Sequence, residues 1–213
     1  GVEPPPTTVA YMVSLAVLLQ VFVLPLFGAI ADHSHKKKEI LGMLAFAGSA
    51  ATVAMFALEG TRYMLGCVLF LIANSAFGAS IVVYNSFLPE IAPPEQRDNV
   101  SSKGWGLGYV GGGILLVLNL GLYSNAESFG LTQSMAVRIS LATAGIWWAG
   151  FTLWPMATLR NRIPNKKIAD GDNHFTSAFK QLAGTIKEIF TLPQTLRFLL
   201  AYLIYNDAIQ TII

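Results

Sequence analysis

The chain has 213 residues, a formal net charge of +2 and only 12% charged residues against 54% apolar ones, about half the charged fraction of a soluble domain. Residues 4–31, 40–58, 63–89, 104–126 and 139–159 contain no Asp, Glu, Lys or Arg, and each run reaches the roughly 20 residues that a helix needs to cross a hydrocarbon layer. A soluble domain and a disordered chain are excluded. So is a membrane β-barrel, whose strands alternate over about ten residues. Cys67 stands alone, so there is no disulfide scaffold, and a charge of +2 supplies no basic face for nucleic acid. The fold class is all-α, a polytopic membrane helix bundle whose surroundings are the lipid bilayer.

The first run holds one polar amide, Gln20, five residues before Pro25. It ends in Gly28-Ala-Ile-Ala-Asp32-His33-Ser34-His35-Lys36-Lys37-Lys38, an acid at the mouth of a span with three cations just beyond. An Asp placed there can pair with a cation or a helix N-terminus in one conformation and lose it in another. The second run closes in a tight turn at Glu59–Arg62. In the third, Asn74, Gly78 and Asn85 fall on one helix face, either to hold helices together or to line a path for solute.

Gly104, Gly108 and Gly112 recur every four residues in the fourth run, the spacing that lets two helix backbones approach in lipid, and Asn119 shares their face. Gly106-x-Gly-x-x-Gly111 matches a dinucleotide-binding pattern by letter only, since no strand precedes it. After the fifth run a polar connection, residues 160–197, carries Phe175, Phe179, Leu182, Ile186, Ile189 and Phe190 at steps of three and four, which predicts an amphipathic helix. A sixth apolar stretch, 198–213, contains Asp207. Nine residues past Phe198, it lies about 14 Å along the helix and near the midplane. A carboxylate at that depth is a functional candidate by default, as a proton carrier or as a ligand for a solute ammonium group. Tyr202, Asn206 and Gln210 share one face beside it.

Twelve of the fourteen Lys and Arg fall in the first, third and fifth connections. By the positive-inside rule those connections are cytoplasmic, which puts residue 1 on the non-cytoplasmic side. The chain opens at Gly1 without the basic n-region of a signal peptide. It closes inside an apolar stretch and reads as a fragment truncated at both ends.

The first connection resembles the loop signature of the major facilitator superfamily, Gly-x-x-x-Asp-Arg-x-Gly-Arg-Arg-Lys. Gly28, Asp32 and Lys38 match, Lys36 and Lys37 keep the charge of two arginines, and His33 and His35 depart from the pattern. Three further stretches, Tyr84-Asn-Ser-Phe-Leu-Pro-Glu-Ile-Ala-Pro-Pro-Glu95, Gly104-Trp-Gly-Leu-Gly-Tyr-Val-Gly-Gly-Gly113 and Arg197-Phe-Leu-Leu-Ala-Tyr-Leu-Ile-Tyr-Asn-Asp207, resemble the vacuolar-effluxer-like branch of that superfamily, named for fungal autophagy-linked amino-acid exporters.

The resemblance implies two six-helix bundles rocking around a central site. Residues 1–159 are then five transmembrane helices of the N-terminal bundle, whose first helix is missing. Residues 160–197 are the central cytoplasmic loop, and 198–213 the truncated first helix of the C-terminal bundle. The function implied is secondary active transport of a small solute by alternating access, namely amino-acid efflux, with proton or ion coupling. A non-transporting assembly partner or sensor is the alternative. The candidate solute or proton path comprises Asp207, Asn206, Tyr202, Gln210, Asn74, Asn85 and Gln20. Gly28, Asp32, Lys36, Lys37 and Lys38 form the candidate conformational gate, and Gly104, Gly108 and Gly112 the packing face. No enzyme activity, metal or cofactor is expected, and short loops favour a plasma (inner) membrane over a vacuolar one.

Overall fold

The computed structural model describes residues 7–59, 62–161, 180, 183–185 and 187–212, which are helical apart from short connections. The first helix, α1 (Thr7–His33), runs for 27 residues, about 40 Å at 1.5 Å per residue, and carries Pro25 inside it. A three-residue turn leads to α2 (Lys37–Ala54), which tightens into a 3₁₀ turn at Met55–Ala57. Next comes α3 (Tyr63–Asn85). It stops four residues before Pro89, whose ring would clash with the Asn85 carbonyl in a continuous helix. The chain therefore restarts as a single turn, α4 (Leu88–Ile91), passes Pro93 and Pro94, and enters α5 (Arg97–Ser124).

The link from α5 to α6 turns on Gly130, whose φ of +67° is the only left-handed backbone among the described residues. The Thr132 side chain then caps α6 (Gln133–Thr158) by accepting from the Met135 N–H at 3.2 Å. Beyond the connection lies α7 (Pro193–Ile212), which begins five residues before Phe198. Most of the anticipated amphipathic helix falls outside the described residues. Those it includes at 180, 183–185 and 187–189 are helical.

Four helical segments, Ala10–His33, Lys37–Ala57, Tyr63–Ile91 and Pro94–Ser124, are long and apolar enough among the described residues to cross a membrane. At 26 residues α6 also has the length to cross, and it carries Trp147, Trp148 and Trp154.

Packing is uneven. The central element is α2, held between α3 and α6; α1 lies on α3, and α5 meets α6 near the Ser124 end. Alanine dominates the buried positions: Ala16, Ala31, Ala45, Ala51, Ala73, Ala76, Ala79 and Ala136. That suits a bundle in lipid, where backbone approach and dispersion replace the hydrophobic effect. One core cluster gathers Ala31, Leu41, Leu44, Ala79, Val83 and Phe87 at the end bearing the lysines, here termed the basic end. Another, with Ala51, Met55 and Ala73, lies toward the opposite end.

Glycines set the α2–α6 distance. A Cβ on Gly145 would stand 2.7 Å from the Ser49 carbonyl oxygen and 2.9 Å from the Val53 nitrogen; one on Gly48 would stand 2.2 Å from the Trp148 ring. Both are far inside van der Waals contact. Within the spans, Ser49, Thr52, Ser80, Ser140 and Thr152 donate to carbonyls three or four residues back, so their hydroxyls need no water.

Candidate functional site

The first connection is built into the basic end by three hydrogen-bonded anchors. At the close of α1, buried His33 donates from Nδ1 to the Ala29 carbonyl at 2.8 Å, and the Ser34 hydroxyl accepts from the Lys36 N–H at 3.0 Å. The first turn of α2 then directs Lys37 inward. Its Nζ lies 2.5 Å from Glu90 Oε1 in α4 and 3.4 Å from the Ser86 carbonyl oxygen. The ammonium also sits 5.2 Å from the centre of the Phe87 ring. Both charged side chains are largely shielded, 11% exposed for Lys37 and 15% for Glu90. Carboxylate, carbonyl and ring take the place of water around the enclosed ammonium.

Lys36 and Lys38 point their charges elsewhere. The Lys38 contribution is its backbone N–H, which Asn161 Oδ1 accepts at 2.8 Å, while Asn161 Nδ2 donates to Glu39 Oε2 at 2.6 Å. Asp32 is partly buried and has no ion pair among the described residues. Gly28 lies where a Cβ would reach 3.0 Å from Val82, so it allows α1 to close on α3. Of the five residues assigned to a gate, Lys37 thus carries the ionic contact. Glu90, Ser86, Phe87 and Asn161 join it, and none of these four was assigned to a gate from the sequence. The signal for Glu90 was its position, an acid directly after the proline that ends the third apolar run.

The candidate path residues fall into separate groups. Gln20 on α1 donates from Nε2 to the Asn74 carbonyl at 3.0 Å, near the middle of both helices, and Gly78 makes room for that amide: a Cβ there would be 3.2 Å from Gln20 Cδ. Asn85 lies instead on the wall of a cleft of about 530 Å³ between α3 and α5. Phe77, Tyr84, Trp105, Tyr109 and Trp148 give that cleft an aromatic lining, and among the described residues its only ionisable side chains are the two tyrosines. On α7, Tyr202 is exposed and stacks on Phe198 with ring centres 6.4 Å apart. Asn206, Asp207 and Gln210 lie on the same helix, but their side chains fall outside the described residues.

The glycine face of α5 borders the same cleft. Gly104 comes nearest to a neighbour, with a Cβ position 3.6 Å from Tyr84 Oη, while Gly108 and Gly112 have nothing within 4 Å. Asn119 takes part in a polar contact with α6, accepting from the Thr143 hydroxyl at 3.0 Å and donating to the Ser140 carbonyl at 3.4 Å. At the opposite end Arg138 of α6 pairs with Glu59, donates to the Phe56 carbonyl and covers the Phe56 ring. That hydrogen bond, reinforced by the charges of Arg138 and Arg62, holds the Glu59 carboxyl below the usual range.

An inward lysine on the first connection, clasped by an acid past the third long helix, and apolar helices joined through glycine notches form a transporter-like frame. The model of the vacuole effluxer Atg22-like family matches residues 7–213. The chain belongs to that family. Among its relatives, "Uncharacterized MFS-type transporter YxiO" of Bacillus subtilis is 29% identical over 206 residues, 95% of this chain and 47% of the relative. "Autophagy-related protein 22-1" of Penicillium rubens is 26% identical over 273 residues, 95% of this chain and 45% of the relative. "Autophagy-related protein 22-2" of Emericella nidulans is 25% identical over 279 residues, at 95% and 47%. This effluxer-family chain spans about half the length of the curated relatives it matches. At equal coverage the fungal alignments are longer, so those effluxer relatives carry additional residues within the matched region. No solved structure matches.

Proposed function

We propose that the chain is part of a secondary active transporter that moves a small solute across a membrane by alternating access, with amino-acid efflux as its activity. The observation that carries this reading is the Lys37–Glu90 pair. It joins the first turn of α2 to the segment between α3 and α5, and both of its side chains are largely shielded. A shielded pair of this kind has two settled arrangements: formed, the ammonium is satisfied by carboxylate, carbonyl and ring; opened, both charges return to water. That property suits a gate that closes or frees the basic end in step with the solute site.

The twelve basic residues in the connections of that end support a cytoplasmic placement for it, and residue 1 on the other side. The name of the bacterial relative, an MFS-type transporter, and the family description, a vacuole effluxer, support transport in the outward sense. The bacterial alignment without the extra residues favours the plasma membrane over the vacuolar one. Solute or protons would pass Gln20 and Asn74 between α1 and α3, or Asn85 in the cleft between α3 and α5, and then Tyr202, Asn206, Asp207 and Gln210 on α7. Asp207 would carry the proton or bind the solute's ammonium group.

The test reconstitutes the complete protein in liposomes loaded with labelled amino acids and follows efflux with and without a pH gradient. Gradient-dependent efflux that falls in Asp207→Asn and in Glu90→Gln supports the reading. No efflux above empty liposomes, from protein shown to be folded, refutes the amino-acid assignment. Efflux indifferent to Asp207→Asn at every pH removes that carboxylate from the mechanism.

A further inference from the structure

The beginning of α2 lacks a cap of its own. Lys36 occupies the N-cap position and makes no side-chain bond to the helix, although the first N–H groups of any helix have no partner within it. The missing acceptor comes from a distant part of the chain. Asn161, three residues past the end of α6, accepts from the Lys38 N–H and donates to the Glu39 carboxylate, so both ends of one amide are engaged on the first turn of α2. Those two residues immediately follow Lys37, which points the other way toward Glu90. One helical turn therefore has Asn161 on one side and the Lys37–Glu90 pair on the other.

We propose that Asn161 is a positioning residue for the gate. By capping α2 from the end of α6, it fixes the turn that carries Lys37 and so holds Lys37 on Glu90. The root of the long connection after α6 and the loop after α3, which already meet around a small cavity walled by Phe87, Glu90, Ile91, Thr158, Leu159 and Arg160, are then linked through that turn as well. A displacement of the connection at Asn161 frees the Lys38 N–H, loosens the first turn and lengthens the Lys37–Glu90 contact. This rests on the gate reading above, but its test needs neither solute nor transport.

The experiment is hydrogen–deuterium exchange on the complete protein in detergent, comparing wild type with Asn161→Ala. Loss of a cap should raise exchange in the first turn of α2, residues 37–41, by roughly fivefold. The proposal further requires a rise of about twofold or more in residues 86–92 that disappears when Asn161→Ala is compared with its parent in a Lys37→Met background, since Thr158, Leu159 and Arg160 also adjoin Glu90, with residues 51–57 at the far end of α2 unchanged. A rise confined to 37–41 would reduce Asn161 to a local cap and overturn the proposal. A uniform rise across all three segments overturns it as well, because that reports general destabilisation, and so does no change at all. Should Asn161→Ala fail to fold, Asn161→Asp replaces it: it keeps the acceptor for Lys38 but sets a carboxylate against Glu39, and the same three segments are compared.

Discussion

The α2–α6 seam and the α5 face are both rich in glycine, yet they do opposite things. Along the seam Gly48 and Gly145 are notches already occupied by a Trp148 ring and by the α2 backbone. On α5, Gly106, Gly108, Gly111, Gly112 and Gly113 face open space, and no residue of that helix is buried. The difference teaches that a small-residue stripe shows where a helix can approach, not where one has. Polar contacts reinforce the contrast, since α2 and α6 are joined at one end by Arg138, Glu59 and the Phe56 carbonyl and at the other by Asn161. By comparison α5 touches α6 mainly through Asn119 and its neighbours.

The largest loss should come from α2's other polar attachment, by stranding one member of the Lys37–Glu90 pair. Glu90→Ala or Lys37→Ala should cost about 3 to 5 kcal/mol, because each leaves a charge enclosed without its partner. Unfolding in detergent measures this, and the double variant Lys37→Met, Glu90→Leu should recover most of the loss. Next in size, Gly145→Ala should cost about 2 kcal/mol by forcing α6 away from the α2 backbone. Recovery of full stability in that variant would mean that the seam is looser than its glycines require.

The α5 face should answer in the other direction. Gly108→Ala should raise stability by up to about 1 kcal/mol, since alanine favours the helix and meets no neighbour. A loss in the same measurement on the complete protein would show that a further helix covers this face there. The smallest effect concerns Glu59. Its folded-state pKa is depressed, so the stability from its pair with Arg138 is present above the ordinary Glu range and is lost as pH falls through the lowered value. The carboxylate is mostly exposed and screened, so only a slight acid-side loss is expected, and Glu59→Gln should abolish it.

The helices were legible because lipid imposes a length and an absence of charge that composition records directly. Even their interruption was legible in principle: Pro89 ends α3 at Asn85 through a clash that depends on local sequence alone. The start of α5 was less so. Its first turns, from Arg97 to Lys103, are charged and lie outside the apolar run, yet they continue the same helix. Most of the site was hidden for a different reason. Lys37 and Glu90 are 53 positions apart, and Asn161 and Glu39 are 122 apart, so neither pairing leaves a trace in local spacing. Three consecutive lysines look alike as letters, and only the helical phase of α2 decides that the middle one turns inward. Gln20 and Asn74 were singled out as polar groups within spans, and the structure joins them through a backbone carbonyl that every residue possesses.

Trp148 has a consequence that reaches beyond packing. One edge of its ring fills the Gly48 notch, and another meets Phe77 edge-on, with centroids 5.7 Å apart, at the wall of the aromatic cleft. A ring held in a notch works as a key in a slot. The two helices cannot slide past each other by a fraction of a turn without expelling it, so the α6 wall keeps a fixed height along α2. Of the cleft's walls, α5 is the one that no such key holds in place, since none of its residues is buried and its polar bonds to α6 gather at Asn119.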